Sequence, residues 1–150
     1  SDDKDAMLLR LLGSDLLFWL GLHAARDQVF RHVLATPPEQ IAAASAEERA
    51  RVNAMANRIL PVSARAAGLR DDTRLGKHLE PYPLERIRAQ TLVFSARDDG
   101  FGTYAAAEYT ASRIPGATFI GFEHGGHLLV GRSDAVRTRL VELIVLPPKP

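Results

Sequence analysis

The sequence of 150 residues predicts an α/β protein whose parallel sheet is short of strands. Three observations predict it. Leu92-Val-Phe94 is a continuous apolar run, the pattern of a strand buried on both faces, and Thr118-Phe-Ile-Gly-Phe122 resembles a second after the turn Pro115-Gly-Ala117. Between them Tyr104 to Ile114 reads as a helix, so strand, helix and strand form a right-handed βαβ unit with parallel strands. The half of the chain ahead of this unit reads as helices, which supplies no further strand for the sheet.

In chain order, Ser14 or Asp15 can cap a helix running to about Leu34. Thr36-Pro-Pro-Glu39 has the form of a capping box with proline in the first turn, and Ser45-Ala-Glu-Glu48 repeats that logic. Pro61 separates a helix ending near Leu60 from another through Val62 to Gly68. Leu69 to Pro83, with Gly76, Pro81 and Pro83, is polar and irregular, and it divides a helical region, residues 1–82, from a second region, residues 83–150. After the βαβ unit, Ser133 is placed to cap a final helix from Asp134 to about Leu146. Val136, Leu140, Leu143 and Ile144 form its apolar face, and Pro147 and Pro148 end it. There are no internal repeats.

Two parallel strands buried on both faces do not make a stable sheet, because such sheets need neighbours on their edges and helices on their faces. The chain is therefore expected to be part of a larger fold, or to dock against another chain that completes the sheet. A compact helical domain with a two-stranded annex is the alternative, and it leaves Leu92 to Phe94 hard to bury.

Composition narrows the classes of function. With 46% hydrophobic and 25% charged residues the chain has the balance of a soluble globular domain. A net charge of +1, without a basic stripe interleaved with aromatics, disfavours nucleic acid and anionic membranes as partners. The absence of cysteine excludes disulfides, thiolate metal sites and a cysteine nucleophile, and is compatible with a reducing, cytoplasmic setting. The longest clean apolar run, Leu16 to Leu22, is far too short to span a bilayer, and Ser1-Asp-Asp-Lys-Asp5 is acidic where a secretory signal carries basic residues.

The chemistry-bearing residues lie at the strand ends. Asp98 and Asp99 follow the first strand at its carboxyl end, where open parallel sheets place their sites, and His127 follows Gly125 and Gly126 just past the second. Each alone reads as a solvated or structural loop residue. Together they are more, because neighbouring parallel strands bring these ends side by side. A histidine acting as general base needs a carboxylate on its other nitrogen, which holds one tautomer and stabilises the imidazolium. The glycines ahead of His127 allow the sharp turn that keeps its ring clear of the strand.

These residues carry a family resemblance. Pro83-Leu-Glu-Arg-Ile-Arg-Ala-Gln-Thr-Leu-Val-Phe-Ser-Ala-Arg-Asp-Asp99 looks like the α/β-hydrolase segment in which a proline-led loop enters a late strand and ends in the triad acid. Gly126-His127-Leu128 looks like that family's glycine-histidine element after its last strand, and the helices of residues 6 to 78 resemble its inserted cap. The family pattern has glycine three residues before the acid. Ala96 stands there for Asp99, which selects Asp99 as the acid, with Asp98 the alternate. The resemblance implies His127 as general base and Asp99 as its orienting partner, in the order nucleophile, acid, histidine.

No G-x-S-x-G elbow is present: Ser14, Ser45, Ser63, Ser95, Ser112 and Ser133 all lack that glycine framing. In the family the elbow and the oxyanion-hole amides lie in the preceding half of the fold, so the resemblance implies a cap plus carboxyl-terminal core, a partial α/β-hydrolase fold. The implied activity is serine hydrolysis of a small, largely apolar ester or similar acyl compound, without a cofactor. The nucleophile would come from the amino-terminal half, on the same polypeptide or a separate chain, and the isolated chain is expected to be inactive. Caps in this family lie over the active site, so Phe18, Trp19, Leu16 and Leu20 are pocket candidates, although core packing is the preferred reading for each. Phe101 and Tyr104, just after the acid, face the same choice. His124 and His127, three apart beside Glu123, make a poor zinc signal without a further ligand. A non-catalytic binding module on a hydrolase-like scaffold is the alternative function, and the scaffold by itself does not select a substrate.

Overall fold

A computed structural model describes residues 13–76 and 79–145. Helix α1, Asp15–Ala24, begins where Ser14 accepts the Leu17 amide on its hydroxyl at 3.4 Å, with Asp15 in the first turn, favourable for the helix dipole. The single helix expected to reach Leu34 is instead broken at Ala25, where φ is −137° and ψ 40°. It resumes as a short turn, Arg26–Gln28, and a wider π-helical turn, Val29–Val33. Packing accounts for the break. In an unbroken helix Phe18, Leu22 and Val29 share a face and Phe30 stands about 100° further round; with the break and the wider turn, all four enter one core.

Helix α2, Pro38–Ala43, has Pro37 at its N-cap and Pro38 at its first position, so the capping box expected at Thr36 to Glu39 does not form. Thr36 is fully buried, with its hydroxyl donating to the Leu34 carbonyl at 2.9 Å and accepting the Leu128 amide at 3.1 Å. Glu39 pairs with Arg31 instead. Helix α3, Ala46–Arg58, keeps half of its expected box: Ser45 accepts the Glu48 amide at 3.2 Å, but the Glu48 carboxylate turns inward to Arg51, the Gly131 amide and Ser133.

After a 3-10 turn at Ser63–Arg65, tied by Ser63 to the Asp15 carboxylate, helix α4 spans Ala66–Gly76. This corrects the expected end at Gly68 and the irregular stretch from Leu69. Gly68 is in open space, where an interior glycine costs only about 1 kcal/mol, too little by itself to end the helix.

Strands β1, Leu92–Ala96, and β2, Thr118–Phe122, pair in parallel from Leu92 opposite Thr118 to Ala96 opposite Phe122, with helix α5, Tyr104–Arg113, between them in sequence. Period-two alternation puts Phe119 and Gly121 on the face that α5 covers, where the Tyr104 ring meets Phe119 edge-on at 5.3 Å. The strands are half-buried rather than buried on both faces, because the described sheet has two strands and each keeps an unpaired edge. Helix α6, Ser133–Val145, lies against β1. Ser133 is its first residue, not its cap, with its hydroxyl committed to Glu48. Leu140 and Ile144 of its expected apolar face are exposed. His78, the start of the apolar stretch before Gly13, and the helix end at Leu146 to Pro148 lie outside the described residues.

The main core is helical, built on Phe18, Leu22, Phe30, Ile41, Val52, Ala56 and Val62. It also takes in Val130, with Leu128 packed against it. The loop that carries His127 is thus anchored in the helical region, not in the sheet from which it emerges.

Candidate active site

Parallel pairing brings the carboxyl ends of β1 and β2 together. Past β1 the chain turns at once, with the Asp99 amide donating to the Ala96 carbonyl and the Gly102 amide to the Asp99 carbonyl. Asp99 Oδ2 lies 3.0 Å from His127 Nδ1. The acid side chain is 4% exposed and the imidazole 45%. A carboxylate at that distance favours the proton on Nδ1, which leaves Nε2 as the lone-pair nitrogen. Among the described residues no hydroxyl is hydrogen-bonded to Nε2.

Three donors hold Asp99. Besides His127, the Thr103 hydroxyl donates to Oδ2 and the Phe101 amide to Oδ1 at 2.8 Å. Burial pushes the Asp99 carboxyl up, but the hydrogen bonds from Thr103, His127 and Phe101 together outweigh it and hold it below the ordinary aspartate value. The acid is thereby kept ionised as a steady partner for an imidazolium. Sequence reasoning missed Thr103. Its place just ahead of a helix suggests an N-cap, but its side chain makes no cap bond and serves Asp99 and Ser95 instead.

Asp98 points elsewhere. Its carboxylate accepts the Gly126 amide at 2.8 Å and the Gly125 amide at 3.2 Å, while His124 Nδ1 is 3.6 Å away. Neighbouring acids are therefore divided between a side chain and a backbone. A second tie comes from the helical region, where the carbonyl of Ala35 accepts both the Gly100 amide at 2.9 Å and the His127 amide at 3.2 Å. Ala35 has a φ of 47°, rare for alanine, and nothing in the sequence around it signals that conformation. The Gly126 backbone packs so closely on this segment that a Cβ there would lie 2.7 Å from Thr36 Cα.

Of the pocket candidates, only Phe101 is brought to the pair. Its ring stands edge-on to His127 with centroids 4.8 Å apart and is itself largely exposed. Tyr104 is spent on packing against Phe119 and under the Arg97 guanidinium. Phe18 is buried in the helical core, as the preferred core reading has it, while that reading fails for Trp19, Leu16 and Leu20. Trp19 is exposed and stacks on His23, and Leu16 and Leu20 are exposed beside it on α1.

Among the described residues no serine is hydrogen-bonded to His127. Ser14 and Ser45 cap helices, Ser63 bonds Asp15, Ser95 is buried against Thr103, Ser112 donates to the Tyr109 carbonyl and Ser133 to Glu48. Among the described residues no cluster of three or more histidines or acids could hold a metal ion, and no helix is long and apolar enough to cross a membrane. Compared with protein-family models, with curated proteins and with solved structures, the chain matches none.

Proposed function

We propose that the chain is the cap and carboxyl-terminal core of an α/β-hydrolase, and that it supplies Asp99 and His127 to a serine hydrolase acting on a small, largely apolar ester or similar acyl compound. The observation that carries this reading is the 3.0 Å contact between His127 Nδ1 and a buried carboxylate, with the imidazole half open to solvent. In this arrangement Nε2 takes the proton of a serine hydroxyl as it attacks the acyl carbon, and the imidazolium is held by Asp99. The imidazolium then returns the proton to the leaving alcohol. Water, deprotonated by the same nitrogen, hydrolyses the acyl-enzyme, so no cofactor is required.

The nucleophile is assigned to an elbow outside these 150 residues, on the same polypeptide or another chain. Support comes from the unpaired edges of β1 and β2 and from serines already engaged elsewhere. Phe101, exposed beside the imidazole, is the first pocket residue on this reading, and a cytoplasmic setting belongs to the same proposal. A non-catalytic module on the same scaffold is the alternative, and the half-open imidazole in front of a carboxylate that keeps it in one tautomer is what favours the catalytic reading over it.

The test is a p-nitrophenyl ester assay on the chain alone and on the chain joined or mixed with its amino-terminal half. Turnover is expected only in the second case, with labelling of a serine outside this chain by a fluorophosphonate probe. Asp99→Asn is expected to lower kcat by about 10⁴, the scale set by loss of the triad acid in a serine protease. Turnover by the chain alone would overturn the shared site.

A further inference from the structure

We infer that Asp98 is a positioning residue for His127: it holds the backbone of the Gly125-Gly126 turn and so decides whether the imidazole reaches Asp99. The inference rests on the acid–histidine reading above and deepens it.

The turn is built on backbone conformations that only glycine adopts readily. Gly125 has a φ of 146° and Gly126 a φ of 60°, conformations that glycine reaches freely but also leaves freely, at a large entropic cost when they are held. Two successive amides there point the same way, and both donate to one Asp98 carboxylate, at 3.2 and 2.8 Å. Hydrogen bonds to an ionised acceptor are about twice as strong as neutral ones, so a single side chain restrains both residues. The next amide, that of His127, is fixed at 3.2 Å by the Ala35 carbonyl, and the one after it, Leu128, at 3.1 Å by the Thr36 hydroxyl. The helical region therefore holds the far side of the turn and Asp98 the near side.

Asp98 does this from the residue next to Asp99. The same short loop after β1 places both carboxylates, so a displacement of the histidine turn relative to β1 is opposed by Asp98 and a displacement of the ring relative to Asp99 by Asp99 itself. Asp98 acts through the backbone and touches no reacting atom. A loop without it still has Asp99 and His127, and the Gly125 and Gly126 carbonyls still accept the Val130 and Leu129 amides at 2.8 and 3.2 Å, but the two glycine amides lose the acceptor that ties them to the loop after β1.

The measurement is the tautomer of His127 in the full chain, read by long-range ¹H–¹⁵N correlation through the carbon-bound ring protons, which does not depend on catalysis or on slow N–H exchange. Wild type is expected to show the Nδ1–H form. Asp98→Ala is expected to lose it, to a mixture dominated by Nε2–H, with amide exchange at Gly125 and Gly126 faster by about tenfold or more. Asp98→Asn keeps the side-chain volume and one acceptor oxygen and is expected to be intermediate; it carries the test should the alanine variant not fold. His124→Ala, which removes the other neighbour of that carboxylate, is expected to match wild type. If wild type shows the Nδ1–H form and both Asp98 variants keep it, the positioning role is overturned while the acid–histidine pair stands. If wild type itself shows Nε2–H, the pair fails, and the role built on it falls too.

Discussion

Phe30 and Val52 in the helical region are sealed from solvent, at 1% and 0% exposed, whereas Ile144 and Val145 on α6 stand at 79% and 71%. The two regions of one chain thus meet water differently. In the first, α1 to α3 and the turn around Val62 build a core that Val130 and Leu128 of the second region complete, and Ser63 ties the turn before α4 to Asp15 of α1. In the second, among the described residues, two strands share one ladder, each keeps an unpaired edge, and α6 turns several apolar side chains outward. The difference teaches that the Asp99–His127 pair does not owe its geometry to the sheet alone. Its acid comes from the open region, while the loop of its histidine is anchored by Leu128 and Val130 in the closed one.

The comparison breaks most readily in the closed core. Phe30→Ala removes a fully buried ring and is expected to cost about 3–5 kcal/mol in chemical unfolding; a loss under 1 kcal/mol would mean that the helical region is as loosely packed as the sheet. At the seam, Gly126→Ala puts a methyl against the Thr36 backbone at a φ of 60°, and strain of this kind costs about 1–3 kcal/mol. The His127 ring is expected to leave Asp99 as the turn opens, which NMR of the ring protons would register.

Glu48 sharpens the link between the regions, since its carboxylate joins α3 to the Gly131 amide and the Ser133 hydroxyl past the histidine loop. The Arg51 hydrogen bond holds this carboxyl below the ordinary glutamate value against the opposing effect of burial, with Gly131 and Ser133 adding to it. Asp99 is lowered in the same sense. Groups that titrate lower when folded stabilise fully above their unfolded values, about 4.3 for glutamate and 3.9 for aspartate, and the contribution fades as pH falls toward the folded values. Glu48→Gln is therefore expected to destabilise by about 1–2 kcal/mol at pH 7, and less at pH 3. A difference independent of pH would contradict that account. The smallest effect belongs to the open region: Ile144→Ser in the chain alone is expected to change stability by less than about 0.5 kcal/mol. If urea unfolding shows a loss close to that of a core residue, α6 is packed and the contrast fails.

Much of this arrangement was legible residue by residue. The apolar runs at Leu92 and Thr118 and the helix between them gave the parallel pair, and the strand-end rule placed Asp99 and His127 at one edge. Ser14 and Ser45 marked their helix starts because a cap bond spans three residues and is visible locally. Thr36 misled for the converse reason. Its local pattern is that of a capping box, but its hydroxyl accepts an amide 92 residues away, which no window of sequence contains. The break at Ala25 was likewise decided by what the helix packs against, not by its own propensity.

What the sequence determined by itself is therefore the periodic and the local: the strands, most helix starts, and the candidacy of one acid and one histidine. Only the tertiary structure decided what Asp98 holds, the grip of Thr103 on the acid, and the double tie of Ala35 to both loops. The physical reason is that periodicity is carried by covalent neighbours. A hydrogen bond between a carboxylate and amides 27 or 28 residues on exists only once the backbone has brought them within reach.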